Sequence, residues 1–243
     1  MEELDFATAE QALATASFGD CRPIWYSSNY VFLAQLHTPD GEAILAVYKP
    51  ERGEAPLWDF PDGKLYRREL AAYRLARALH WNFVPPTVVR DGPEGIGAVQ
   101  LFVPHDPHAH YFEQRERPEL VPQLQRIALF DAVANNADRK AGHCLLDPTG
   151  KVWAIDHGLC FHHQYKLRTV IWDWADEPIP PVMLRELRRF ASELQAESPR
   201  LHPFLELLRP IELRALWERL ERLLDRGRFP LPGPHRSYPW PLV

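Results

Sequence analysis

Acidic and histidine side chains in the second half of the sequence have the types and spacing of a metal or proton-transfer site. Asp156 directly follows the apolar run VWAI, and Asp138 and His143 lie upstream in the stretch NNADRKAGH, residues 135–143. A carboxylate next to a buried strand is costly unless it is paired or bound to a metal ion. We therefore predict that Asp156 is a metal ligand. His143 could be a second ligand or a packing residue, and Asp138 could cap a turn or pair with Arg139.

A lysine and a glutamate in the first half make a second candidate pair. Lys49 ends a hairpin that the runs YVFLAQLH and EAILAVYKP predict around the turn TPDG. Apolar residues recur with helical spacing in KLYRRELAAYRLARALH, and Glu69 falls on the inward face of that helix. A lone lysine at a strand end is usually solvated, so the interest of Lys49 lies in its pairing and order with Glu69.

The remaining pattern predicts the elements that must position these residues. The runs PTVVR and GAVQLFV indicate two further strands, and the link PHDPHAH separates them from a helix over residues 118–134. A short hairpin, CLL and VWAI, then leads to Asp156, and the rest of the chain is mainly helical. We predict an N-terminal lobe over residues 1–103 and a C-terminal lobe over residues 104–243.

Composition excludes several classes of protein. The chain has 243 residues, 46% of them hydrophobic, which is enough for a sizeable core and argues against disorder. A net charge of −5 with mixed signs argues against a nucleic-acid partner. The three cysteines lack metal-binding spacing and predict a reduced, cytoplasmic setting. No apolar run is long enough to predict stable insertion into a membrane.

The order of these parts resembles that of the protein kinase-like fold. A strand lysine, a helix glutamate, a loop aspartate and a later Asp-x-Gly follow one another as in that fold. The wording DRKAGH and IDHG is similar to that of the phosphatidylinositol 3-/4-kinase-like enzymes, which have Asp-Arg-His-x-x-Asn and Ile-Asp-Phe-Gly. The resemblance covers roughly residues 24–165 and indicates a small bacterial branch of that family. It implies an α+β, two-lobed structure with an antiparallel sheet and one key helix, followed by a mainly helical lobe.

The resemblance also implies a function and the residues that perform it. The protein would be an ATP- and Mg²⁺-dependent phosphotransferase, in which Lys49 neutralises the phosphates and is held by Glu69. Asp138 would orient the attacking hydroxyl, while Asp156 and His143 would hold the metal. The loop in WYSSNYVF would cradle the phosphates, and adenine would lie between the sheet and the link after GAVQLFV. These nucleotide-binding candidates are Ser27, Ser28 and Asn29, and Gln100, Leu101, Phe102 and Val103.

Departures from the family pattern leave alternatives open. His143 stands where the family has asparagine, and WYSSNYVF lacks a glycine-rich turn, so a nucleotide-binding pseudokinase is one alternative. His157 stands where the family has phenylalanine, which changes the packing of that loop. Adenylyl transfer on the same scaffold is another. The run HDPHAH, residues 105–110, could instead belong to a His-rich metallohydrolase. The segment HGLCFHHQYKLR after the metal-binding candidate predicts an anionic acceptor, whose identity the sequence does not specify.

Overall fold

The computed structural model describes residues 5–24, 29–60, 63–234 and 236–243. Its first part is a five-stranded antiparallel sheet with strand order β1-β2-β3-β5-β4. The strands are β1 (Ser17–Pro23), β2 (Phe32–His37), β3 (Ala43–Pro50), β4 (Thr87–Gly92) and β5 (Gly95–Leu101). The helices of this part are α1 (Phe6–Thr15) and α2 (Leu65–Leu79), with a 3-10 turn at Glu51–Gly53.

The second part is mainly helical, as predicted. Its helices are α3 (Tyr111–Gln114), α4 (Val121–Ala134), α5 (Pro181–Gln195), α6 (His202–Leu205) and α7 (Pro210–Arg226). A short antiparallel hairpin, β6 (Cys144–Leu146) and β7 (Val152–Ala154), follows α4. Further 3-10 turns span Pro118–Leu120, Ala141–His143 and Pro199–Leu201. The α+β class is confirmed, whereas the boundary between residues 103 and 104 stays a prediction.

The sheet directs Lys49 away from its own small core. Tyr48 on β3 is fully buried with Leu13 of α1 and Val99 of β5. Successive side chains of a strand point to opposite faces, so Lys49 lies on the other face of the sheet. Its register partner on β5 is Ala98, whose small side chain leaves room beside it.

Helix α2 belongs to the larger core, together with the helical part. Its buried apolar side chains pack in one cluster with those of α4, α5 and α7. Glu69 lies on the same inward side and is only 3% exposed, as its position in the helical pattern predicts. The packing of α2 therefore carries a carboxylate to the place where the sheet meets the helical part.

One strand was not foreseen from the sequence. β1 is an edge strand whose side chains are mostly exposed, and its pairing with β2 shifts register between Phe18 and Cys21. An exposed edge strand with an irregular register has no apolar alternation, so no sequence pattern marks it. No helix in the described part of the chain is long and apolar enough to cross a membrane.

Candidate active site

The ammonium group of Lys49 lies between two carboxylates that come from different parts of the fold. Its Nζ is 2.5 Å from Glu69 Oε1 on α2 and 3.1 Å from Asp156 Oδ1, just after β7. The Glu69 side chain is almost fully buried, whereas that of Asp156 is 46% exposed. One lysine of the sheet is thus joined to a sheltered acid on one side and an accessible acid on the other.

Glu69 also holds the backbone that follows Asp156. Its second oxygen, Oε2, accepts a 3.0 Å hydrogen bond from the backbone N–H of His157. Asp156 itself has φ 61°, in the left-handed region that aspartate tolerates better than most residues. The turn after β7 is therefore fixed by its contact with α2.

Lys49 and the carboxylates beside it each stabilise the charged form of the other. Burial alone would lower the pKa of Lys49, but Asp156 and Glu69 raise it above its ordinary value, so the amine stays charged at neutral pH. Burial would likewise raise the pKa of Asp156, and the charge of Lys49 outweighs it and holds the pKa well below its usual range. The site therefore presents an ionised, half-exposed carboxylate next to a permanent cation.

His143 contacts the second oxygen of Asp156. Its Nε2 is 3.2 Å from Asp156 Oδ2, and burial lowers the pKa of His143 to about 4, so the ring is neutral at pH 7. The backbone N–H of Lys140 donates to Nδ1 at 3.3 Å, which assigns the ring proton to Nε2. In this tautomer His143 donates to Asp156 and orients it. Metal binding through Nε2 would require that proton to leave.

Asp138 lies in the loop after α4, where its environment is only partly exposed. Its side chain is 26% exposed, and Oδ2 is 3.4 Å from Lys140 Nζ. Burial raises the pKa of Asp138 to about 6, with Lys140 opposing that rise and the charge of Asp156 adding to it. A carboxylate with a pKa near neutrality is suited to accepting a proton.

Arg139 does not pair with Asp138; it is fully buried and pairs with Asp131 of α4. Its Nε and Nη2 contact the two carboxylate oxygens of Asp131 at 2.7 and 2.9 Å. Nη1 donates to the carbonyl of Ile155 at 2.7 Å, and Nη2 lies 2.8 Å from Nε2 of His157. This guanidinium joins α4, the loop of Asp138 and the end of β7. Sequence reasoning missed Asp131, although its place in the buried run LFDAVA was a signal.

The nucleotide-binding candidates are only partly within the described structure. Ser27 and Ser28 lie outside the described residues, and Asn29 Oδ1 accepts a 2.9 Å hydrogen bond from the N–H of Ala55. The buried amide of Gln100 donates to Thr87 at 2.9 Å, so that side chain is already engaged.

The three residues after Gln100 lead out of the sheet. Leu101 and Phe102 are half-buried and Val103 is buried. The N–H of Phe102 donates to the carbonyl of Leu45, and His105 Nδ1 lies 2.8 Å from the carbonyl of Val103. These contacts hold the link in place and leave two half-buried apolar side chains beside it.

The histidines of HDPHAH do not converge on one point with other ligands. Asp106 accepts from the backbone N–H of His108 at 2.9 Å, which makes it a turn residue. His110 packs edge-on against Phe112. Within residues 5–24, 29–60, 63–234 and 236–243, no group of three or more His, Cys, Asp or Glu side chains could hold a metal ion.

The segment after Asp156 is less basic at its surface than its sequence suggests. His157 and His162 are buried, and Lys166 is paired with Asp59 at 3.1 Å. Arg168 is partly exposed; its N–H donates to the carbonyl of Asn136, and its own carbonyl accepts from the N–H of Arg139. Arg168 therefore lies directly beside the loop of Asp138.

Comparison with known proteins identifies relatives of the chain. Residues 82–207, about half of it, match the family described as phosphatidylinositol 3- and 4-kinase. Protein Rv2133c of Mycobacterium tuberculosis (strain ATCC 25618 / H37Rv) is 39% identical over 248 residues, which cover 88% of each chain. Phosphatidylinositol 4-kinase gamma 3 of Arabidopsis thaliana is 30% identical over 138 residues, 53% of this chain and 24% of that protein.

The fold is similar to that of solved kinases. The crystal structure of the Golgi casein kinase with Mn/ADP bound superposes with a TM-score of 0.58 at 15% identity. The match covers 98% of this chain and 80% of that one. The two-lobed, kinase-like fold implied by the order of the sequence motifs is therefore confirmed.

Replacing Arg139 should show how much the buried ion pair supports the site. Arg139→Met leaves Asp131 charged and unpaired, so we expect the free energy of unfolding to fall by about 3–5 kcal/mol. Asp131→Leu combined with Arg139→Met removes both charges and should recover at least half of that loss. Urea unfolding measures both variants, with the exposed Arg214→Met as a control that stays within about 0.5 kcal/mol. Losses that simply add in the double variant would contradict the pairing.

Because the pKa of Asp138 is raised in the folded protein, ionisation of this carboxyl should lower the free energy of unfolding. Its pKa is about 6 when folded against an ordinary 3.8, so its contribution to stability is complete below about pH 4 and is lost as pH rises through 6. Asp138→Asn cannot ionise and should be more stable than wild type at pH 7.5, by about 1–3 kcal/mol. The advantage should shrink at pH 5.

Asp147 provides a matched control of opposite sign. Although burial would raise the pKa of Asp147, hydrogen bonds from Thr149 and Trp153 hold it below its ordinary value. Asp147→Asn should therefore destabilise the protein at pH 7.5, in the same urea titrations. An Asp138→Asn variant that is less stable than wild type at pH 7.5 would show that the Asp138 carboxylate is not penalised by its environment.

Proposed function

Because the chain belongs to the phosphatidylinositol 3- and 4-kinase family, we propose that it is an ATP- and Mg²⁺-dependent phosphotransferase. The observation that carries the proposal is the contact of Lys49 Nζ with both Glu69 and Asp156, at 2.5 and 3.1 Å. A cation beside one sheltered and one accessible carboxylate suits the binding of a metal-bound polyphosphate. The superposition on a kinase with bound Mn/ADP supports the same assignment of the cleft.

In this proposal Lys49 binds the phosphates of the nucleotide. Glu69 is almost fully buried and holds the ammonium from the side away from solvent. Lys49 contacts Asp156 on its exposed side. Phosphate oxygens can therefore replace Asp156 as the partner of Lys49 Nζ, while Glu69 keeps its contact with the same nitrogen. Lys49 then stabilises negative charge on the transferred group and is already correctly placed before the nucleotide arrives.

Asp156 is the residue that would hold Mg²⁺. Its carboxylate is a hard oxygen ligand, ionised and half-exposed, which fits the preference of this ion for oxygen ligands and retained waters. The ion would neutralise charge on the phosphates and on the leaving group. His143, which donates to Asp156 Oδ2 in the structure, serves better as the group that orients the carboxylate. As a metal ligand it would be a softer donor than the family's asparagine.

Asp138 is proposed to orient the acceptor hydroxyl and to accept its proton. With a pKa of about 6, the carboxylate is mostly ionised at pH 7 and still basic enough to take up a proton. Its backbone N–H donates to Asn136 Oδ1 at 3.0 Å, which fixes the loop. Adenine would lie against Leu101, Phe102 and Val103, near the backbone of Gln100. The phosphates would extend towards the loop of Ser27, Ser28 and Asn29.

The acceptor is proposed to be anionic, although its class is unidentified. Arg168 supports this, because it is partly exposed and its backbone is bound to Asn136 and Arg139, the residues near Asp138 in that loop. Lys166 contributes less than its charge suggests, since Asp59 is paired with it.

The three free cysteines support the cytoplasmic location that the sequence predicts.

Nucleotide binding tests the roles of Lys49 and Asp156 separately. Lys49→Met should weaken ATP binding at least tenfold both with and without Mg²⁺, because it removes a cation that contacts the phosphates directly. Asp156→Asn should weaken binding only when Mg²⁺ is present. Calorimetry measures both, with the exposed Arg214→Met and Asp225→Asn of α7 as charge-matched controls. Equal ATP affinity in the two variants and the wild type would contradict the assignment of Lys49 and Asp156 to a nucleotide-binding site.

Turnover of labelled ATP distinguishes phosphoryl transfer from the alternatives. ATP labelled on the terminal phosphate and on adenine should transfer only the phosphate label, whereas adenylyl transfer would move the adenine label and a pseudokinase neither. Asp138→Asn should bind ATP normally and lose about 10²–10⁴-fold in turnover, because it can no longer accept the proton. If Asp138→Asn kept wild-type turnover, the base would have to be another residue.

A further inference from the structure

A cavity of about 200 Å³ lies between α7 and the chain that follows it. Four arginines contribute to its wall, and the remaining side chains are mostly apolar. The arginines are Arg219, Arg222, Arg226 and Arg228, and the other lining residues are Ala132, Tyr165, Leu223, Pro230 and Leu231. None of these belongs to the candidate active site.

The arginines of α7 fall on one side of the helix. Arg219, Arg222 and Arg226 are spaced at i, i+3 and i+7, with Leu223 between them. Like charges at this spacing destabilise a helix slightly unless something compensates them. Asp176 lies 3.6 Å from Arg226 and 4.0 Å from Arg228. No carboxylate of the described residues lies within ion-pair distance of Arg219 or Arg222, so the cavity has excess positive charge.

Arg219 is buried without full use of its donors. It is only 6% exposed, and it donates from Nε to the carbonyl of Val133 at 3.0 Å and from Nη1 to that of His162 at 3.5 Å. Its Nη2 has no hydrogen-bond partner among the described residues. Burial lowers the pKa of Arg219 to about 10, and the charge of Arg222 acts in the same direction. A buried cation with a free donor is costly in the isolated protein.

In a second basic cavity of the same molecule, arginines are paired with carboxylates of the protein. It has about 350 Å³ and is lined by Arg74, Arg77 and Arg200 among others. There Arg74 pairs with Glu10 at 2.9 Å, and Arg200 pairs with Glu193. Two of its three arginines are thus paired with carboxylates, and Arg77 donates from Nη1 to Asn82 Oδ1 at 2.6 Å. In the cavity beside α7, by contrast, the buried Arg219 has no carboxylate partner among the described residues and keeps one nitrogen without an acceptor, which indicates that the compensating charge comes from a ligand.

We propose that the cavity beside α7 binds a small amphipathic anion. Its carboxylate or phosphate group pairs with Arg219 and Arg222, whose planar donors match either group. Its apolar part packs against Leu223 and Leu231. The volume is below the roughly 300–1,000 Å³ of drug-sized sites, so the ligand has the size of a small metabolite. The proposal does not rest on the phosphotransferase function.

The position of Arg219 places this site behind the loop of Asp138. Val133, whose carbonyl it contacts, lies near the end of α4, and His162 lies in the segment after Asp156. Asn135, which ends α4, donates to the same carbonyl of His162 at 2.8 Å. A ligand that pairs with Arg219 therefore binds a residue that already joins two segments of the candidate active site.

Binding of simple probe anions tests the proposal. Benzoate and phenyl phosphate should raise the melting temperature of the full chain saturably at constant ionic strength. Inorganic phosphate should act more weakly because it has no apolar part, and benzyl alcohol should have no effect because it has no charge. The order of the two aromatic anions shows which probe the site prefers, and that probe is used for the variants below.

Variants locate the binding. Arg222→Gln should weaken the affinity for the better anion at least tenfold in calorimetry, whereas Arg214→Gln, exposed on the same helix but outside the cavity, should not change it. Leu231→Glu places a carboxylate beside the arginines and should abolish the response. Lys49→Met should leave it intact, which separates this site from the nucleotide cleft.

Three outcomes would overturn the proposal. One is the absence of saturable binding by either aromatic anion at 10 mM, about the limit at which weak specific binding is still measurable. Another is equal affinity in Arg222→Gln and the wild type. The third is loss of anion binding in Lys49→Met, which would show that the probes bind in the nucleotide cleft and not beside α7.

Discussion

The buried ion pair of Arg139 and Asp131 is the interaction on which the rest of the candidate site depends. Two charges removed from water are tolerated only when their geometry is good and their other donors are satisfied. Here all the contacts come from segments that carry the site: α4 through Asp131, the end of β7 through the carbonyl of Ile155, and the next turn through His157. The loop of Asp138 cannot move without breaking them.

His157 links this pair to the second charged group. Its N–H donates to Glu69, while its Nε2 faces Arg139, so one residue contacts both networks. Its ring packs edge-on against Phe130 of α4 and is fully buried. Burial, with the charge of Arg139, holds the pKa of His157 well below its ordinary value, so the ring stays neutral and can accept. The departure from the family's phenylalanine thus adds a polar connection to a packing position.

Two buried arginines, Arg139 and Arg219, differ in whether a carboxylate compensates their charge. Arg139 has a carboxylate and further acceptors for its guanidinium, whereas Arg219 has two carbonyls and one nitrogen without a partner. The first is a structural cation that fixes a loop. The second is held by the same fold, but none of the ion pairs among the described residues includes it. Arg139 and Arg219 are both buried arginines, but only Arg139 has a carboxylate partner, so only Arg139 is fully compensated.

Sequence alone determined most of the elements, because the hairpin before Lys49 and helix α2 have clear periodicity, and the class of the fold followed from the resemblance of their order to that of the protein kinase-like fold. It also determined the order of Lys49, Glu69, Asp138 and Asp156, since that order is written along the chain. It could not determine the partners. Asp131 meets Arg139 and Asp59 meets Lys166 only through tertiary packing, over eight and 107 positions. The uncompensated charge beside α7 was equally hidden, because charge balance depends on distances in space that residue spacing does not encode.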